Sequence, residues 1–166
     1  MERDIIDEMF AERVSNPLEW FKHSRSLLAA ARSTKERAEV LIDPLEKSDL
    51  ENVATMLYGF SLENLFKAIW TLNKFGPPHD GSWEPEAKFP SELKTHDLLK
   101  LAGIIDSALV KEYELSLSML SDASTWSGRY PCSLRGDEGT MVRWPKINDD
   151  AEVIFRKYSK PFTAIS

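Results

Sequence analysis

The residues of this 166-residue chain that are equipped for chemistry fall into three neighbourhoods. In the first, Glu63 and Lys67 stand four apart in the order that favours an ion pair on one helix face. Asn64 lies seven residues beyond Leu57, two turns along the same face, so an amide enters an apolar stripe. In the second, His96 and Asp97 follow Thr95, which reads as a helix cap. The first turn of such a helix favours a carboxylate and turns backbone N–H groups toward any anion. In the third, Arg129 sits between Gly128 and Tyr130-Pro131, past a helix reaching Trp126, where a guanidinium can span helix ends to a carboxylate or a phosphate. Each neighbourhood also has a plainer structural account: a solvated ion pair for Glu63 and Lys67, one internal hydrogen bond for Asn64, a capped turn for His96 and Asp97, and a clamp for Arg129.

Other chemistries find less support. Glu19 and His23 share a helix face, but two ligands do not hold a metal, and none is expected. Cys132 is the only cysteine, which excludes an internal disulfide and any Cys-x-x-Cys site, and it lacks the Cys/His setting of a nucleophile. Phosphate-loop, dinucleotide and Gly-x-Ser-x-Gly fingerprints are absent, and no cofactor is implied.

The elements that position these residues read as helices throughout. Asp4 to Val14 places Ile5, Ile6, Met9 and Phe10 on one side and acids on the other, a short amphipathic helix that should dock on something. Asn16-Pro17-Leu18-Glu19 combines a capping amide with proline at the first helical position, and the run continues to Ile42 before Asp43-Pro44 interrupts it. Ser48-Asp49-Leu50-Glu51 has the form of a capping box and predicts a second long helix that ends at Phe75-Gly76. Residues 76–94, with four prolines, read as a surface connection; Thr95 then caps a shorter helix through Ile105. A further helix runs from Leu109 to Trp126 and is terminated by Gly128 and Pro131. Residues 132–147 read as a loop, and a last helix follows Asn148, with Asp149 and Asp150 at its positive end. Nothing alternates with period two. The expectation is an all-α, up-and-down bundle of four main helices with a short N-terminal and a C-terminal helix and two long loops, in a single domain spanning 1–166.

Composition agrees. With 42% hydrophobic and 29% charged residues, only seven Gly and nine Pro, the chain has the make-up of a globular domain, which at this size buries roughly 70% of its unfolded surface. A net charge of −6 argues against a protein that coats nucleic acid by its overall field, so any such role needs a local patch. The opening Met1–Glu8 is acidic, and no stretch reaches the ~18 apolar residues of a membrane span, so a cytoplasmic address is expected.

Three pieces in order carry a resemblance: Leu62-Glu63-Asn64-Leu65-Phe66-Lys67-Ala68, Thr95-His96-Asp97-Leu98 and Trp126-Ser127-Gly128-Arg129-Tyr130-Pro131. Together they resemble the HEPN superfamily of nucleotide-binding helical domains, in which a Glu and a Lys four apart occupy the second helix, His-Asp-Leu opens the third and Arg-Tyr-Pro follows the fourth. The resemblance spans about residues 18 to 160. It implies a helical bundle, commonly a homodimer, tied to nucleotide or RNA binding, toxin–antitoxin pairs and defence, with a nucleotide, an RNA or a protein as partner and no membrane. It marks Glu63, Asn64, Lys67, His96, Asp97, Arg129 and Tyr130 as ligand-binding candidates. Many members are metal-independent ribonucleases with an Arg followed by four to six residues and a His. Here the positions five to seven before His23, His79 and His96 hold no arginine, and Arg129 is followed by Tyr130-Pro131-Cys132-Ser133-Leu134-Arg135. The family's catalytic residues therefore do not transfer. The resemblance leaves binding without cleavage first, a structural interaction or dimerisation module second, and a ribonuclease pairing His96 as general base with Arg129 third.

Overall fold

Asp43-Pro44 closes one helix and opens the next. In the computed structural model, which describes residues 2–127, 129–130 and 145–165, α1 covers Glu2–Ser15, α2 Pro17–Glu39 and α3 Pro44–Phe75. The Asn16 side chain accepts the Leu18 N–H at 2.9 Å and Pro17 follows it, so α2 starts as its sequence dictates. The same logic starts α3 a turn earlier than Ser48. Asp43 is extended, its carboxylate accepts the Glu46 N–H at 2.9 Å, and Pro44 takes the first helical position where its missing N–H is harmless. Ser48 and Glu51 thus lie inside the helix instead of capping it. α3 stops at Gly76, whose φ of 77° suits glycine and whose N–H donates to the Leu72 carbonyl.

The Pro-rich connection holds one 3-10 turn, Ser91–Leu93, that buries Leu93. α4 spans Leu98–Ile105, and its cap is Asp97, not Thr95: the Asp97 carboxylate accepts the Leu99 and Lys100 N–H groups, while the Thr95 hydroxyl accepts the N–H of Asp97 itself. Asp106 caps α5 (Ser107–Asp122) in the same manner. α5 is kinked at Tyr113 and ends in a π-helical turn, Ala123–Ser127. The expected terminators Gly128 and Pro131, Cys132 and the loop through residue 144 lie outside the described residues. α6 (Ile147–Tyr158) begins one residue before Asn148, so Asn148 does not cap it; the Asn148 amide oxygen instead accepts the Thr55 hydroxyl at 3.2 Å. Asp149 and Asp150 do sit in its first turn. A short α7, Lys160–Thr163, follows.

Among the described residues the chain is all-helical and contains no strand, and no helix is long and apolar enough to cross a membrane. α3 is the central element, packed against α2, α4, α5, α6 and the π turn, with α2 its most extensive neighbour. Tyr58, Leu62, Leu65 and Phe66 of α3 are buried between Phe21 and Leu28 of α2, Leu98 and Leu101 of α4, and Leu117 and Leu120 of α5. Phe21 stacks on Phe162 with ring centroids 4.4 Å apart, which fixes α7 to α2. Between α2 and α3, Ser24 donates to the Ser61 carbonyl (2.7 Å) and Ser61 to that of Ser24 (2.9 Å), so both buried hydroxyls are satisfied. On the other side of α3, a Cβ built on Gly59 would meet the Leu120 carbonyl at 2.7 Å, so glycine permits the α3–α5 contact.

In α1 the side carrying Ile5, Ile6, Met9 and Phe10 stays largely open among the described residues, each being 41–59% exposed. Contact is made by Ala11, Val14 and Ser15, which are buried at the other end of the helix.

Candidate functional site

Glu63 lies on a stretch of α3 buried by its neighbours, and its carboxylate organises the site. Lys67, one turn on, donates to Glu63 Oε1 at 2.7 Å, with the two side chains 6% and 7% exposed. The pair is therefore not the solvated one its spacing suggests. Two charges taken from water at this depth stabilise little in sum, but each depends on the other. The Lys67 ammonium also sits 5.7 Å from the centre of the Trp20 ring, a cation–π contact. Trp20 is held by its indole N–H on the Val14 carbonyl (3.1 Å) and edge-on by Phe89 of the Pro-rich connection (6.1 Å). That connection is pinned in turn: the Glu86 N–H donates to the Ser15 hydroxyl at 2.9 Å. The Lys67 side of the pair is closed by these layers.

The other side is open. His96 Nδ1 lies 3.0 and 3.1 Å from the two Glu63 carboxylate oxygens, although its side chain is 66% exposed. A carboxylate accepts only, so Nδ1 carries the proton and donates, which leaves Nε2 on the ring edge away from Glu63. His96 sits one residue ahead of the α4 cap and not in the first turn of that helix. A buried carboxylate held by a buried ammonium thus fixes the orientation of a solvent-facing imidazole.

Arg129 reaches the same stretch of α3 by another route. Its guanidinium stands 4.7 Å from the centre of the Phe60 ring, one turn before Glu63, and its own N–H, like that of Tyr130, donates to the Trp126 carbonyl at 2.9 Å. Arg129 and Tyr130 are exposed. Among the described residues the Arg129 guanidinium is seen stacked on an aromatic face. Asn64 donates to the Phe60 carbonyl at 2.9 Å, a backbone bond of the kind its plainer reading requires. The Asp97 carboxylate is occupied by the α4 N–H groups, with Lys100 4.0 Å away.

Of the seven candidates, Glu63, Lys67 and His96 form one hydrogen-bonded set, and Arg129 and Asn64 each contact Phe60, one turn before Glu63 on α3. Asp97 serves as a cap, and Tyr130 shares with Arg129 a backbone bond to the Trp126 carbonyl. Sequence reasoning missed Trp20, Phe60 and Phe89. Phe60 carries a local signal, an aromatic residue one turn before Glu63 and Asn64; Trp20 and Phe89 carry none. Also missed was a second polar set, in which the Glu152 carboxylate of α6 accepts two bonds from Arg32 of α2 (2.8 and 2.6 Å) and one from Tyr58 of α3 (2.9 Å). It ties three helices together. Compared with known proteins, the chain matches no family model, no curated protein and no solved structure.

Proposed function

We propose that this chain is a HEPN-like, cytoplasmic helical bundle that binds a nucleotide or RNA, without cutting it, across the surface formed by His96 and Arg129, in a toxin–antitoxin or defence setting. The four-helix up-and-down arrangement of that superfamily belongs to the same proposal. One observation carries it: an exposed imidazole is held by the buried Glu63–Lys67 pair, and an exposed guanidinium is stacked on Phe60, a residue one turn before Glu63 on the same helix. Both groups are oriented before any ligand arrives, and both suit a phosphate or the edge of a base. The patch is local, as a chain of net charge −6 requires. No cleavage step is assigned, because His96 lacks an arginine at the family's spacing.

Fluorescence anisotropy with a labelled single-stranded RNA and with ATP, at low salt, tests the reading. Binding should weaken as salt rises, and Arg129→Ala should raise the Kd about tenfold, or ~1.4 kcal/mol. Absence of binding to either probe at low salt rejects the proposal. The burial of Glu63 and Lys67 favours a second reading, a purely structural clamp in an interaction module. There, Arg129→Ala would lower the Tm and leave affinity per folded molecule unchanged.

A further inference from the structure

Of the Glu63–Lys67–His96 set, His96 alone faces water, and the hydrogen bonds behind it decide what its free nitrogen can do. The Glu63 carboxylate, buried and charge-balanced by Lys67 at 2.7 Å, holds Nδ1–H through both oxygens at 3.0 and 3.1 Å. With the proton fixed on Nδ1, the Nε2 lone pair is the only acceptor left on the ring. Such an imidazole is poised to attack an electrophile. Positive charge that the ring gains as Nε2 forms a bond is met at Nδ1 by a carboxylate that little water screens. The backbone beside it decides which electrophile suits. An acyl group needs N–H donors for the oxyanion of its tetrahedral intermediate. The N–H groups that follow His96 in the chain are all engaged: Asp97 donates to the Thr95 hydroxyl, Leu98 to the Ser121 hydroxyl, and Leu99 and Lys100 to the Asp97 carboxylate. A phosphoryl group passes through a loose transition state and asks first for an in-line nucleophile with open space before it, which an imidazole 66% exposed provides.

We infer that His96 accepts a phosphoryl group on Nε2 from a small donor whose leaving group departs readily, of the phosphoramidate class. The Nε2 lone pair forms the new N–P bond while the bond from phosphorus to the donor's nitrogen breaks. That electron pair departs with the nitrogen as neutral ammonia, the donor nitrogen being protonated beforehand. The ring, now bonded at both nitrogens, is a cation, and its Nδ1–H stays on Glu63. Glu63 is a positioning residue in this step: it orients the ring and balances its charge without touching phosphorus. The inference stands on the Glu63–His96 geometry and does not rest on nucleotide or RNA binding.

Incubating the full chain with potassium phosphoramidate tests this, because His23 and His79 are also exposed and serve as references within the same molecule. Peptide mapping by mass spectrometry under alkaline handling should find His96 phosphorylated about tenfold faster than either, and phosphorus NMR should show the Nε2 isomer. Equal rates at the three histidines, or an Nδ1 product at His96, overturn the inference. The double variant Glu63→Leu/Lys67→Met removes the carboxylate together with its ammonium. There the rate at His96 should fall to that of the references and the isomer preference should disappear, with helical circular dichroism unchanged. A folded double variant that reacts as fast as wild type overturns the part assigned to Glu63. The comparison among the three wild-type histidines decides whatever the variant does.

Discussion

Glu63 accepts from Lys67 and His96 together, and that double duty makes its replacement informative. Glu63→Gln or Lys67→Met leaves one charge buried without its partner and should destabilise the fold by about 3–5 kcal/mol. The double variant Glu63→Leu/Lys67→Met should recover most of that loss in urea unfolding, because an apolar pair of similar volume needs no compensating charge. A double variant as unstable as the sum of the single ones would contradict the buried-pair assignment. The spacing of Glu63 and Lys67 was legible in the sequence, since i,i+4 is a property of the helix alone. Their burial was not, because it depends on Trp20 and on Phe89 from the Pro-rich connection, which no local pattern links to α3. The Arg129 contact with Phe60 was hidden for the same reason: the spacing allows a carboxylate or a phosphate partner, and nothing near Arg129 in sequence announces that ring.

At the scale of elements, caps decided what was readable. Asn16-Pro17 and Gly76 ended up where their chemistry pointed, because an amide acceptor, a proline and a glycine with positive φ each act within a few residues. Ser48 and Thr95 misled because a better acceptor stood close by. Asp43 with Pro44 outcompetes the capping box, and Asp97 satisfies two N–H groups where Thr95 would satisfy one. Contacts between elements had no such local signal. Gly59 illustrates this: inside α3 it looks like a weak helix former, yet its missing Cβ is what lets the Leu120 carbonyl approach. Gly59→Ala should gain helix propensity and still cost about 1–3 kcal/mol, since backbone must move to admit the methyl group. Thermal unfolding checks it; a Tm equal to or above wild type would show that α5 yields freely.

Across the whole molecule, the Arg32–Glu152–Tyr58 set couples stability to pH at both extremes. The Arg32 bond, with a further bond from Tyr58, holds the Glu152 carboxyl below its ordinary range against the opposing effect of burial. A depressed carboxylate contributes stability above its unfolded pKa, lost as pH falls through the folded value. Glu152→Gln should therefore flatten the acid limb of a stability–pH curve, modestly because Arg32 is half exposed and screened. Tyr58 works in the other direction: burial first, then its bond to Glu152, raises its hydroxyl. Stability from the neutral phenol holds below the unfolded tyrosine value and declines as pH climbs past it. Tyr58→Phe should soften that alkaline limb, and identical limbs in both variants would show that the set does not govern titration.

The tie between Ser15 and Glu86 makes the N-terminal helix less dispensable than its exposed first half suggests. Trimming the chain past residue 15 would strip the Glu86 amide of its acceptor and the Trp20 indole of the Val14 carbonyl, loosening the roof above Lys67 from a great distance along the chain. A protein shortened past α1 would thus disturb the surroundings of Lys67 as well, so what α1 contributes is probed by point substitution and not by truncation.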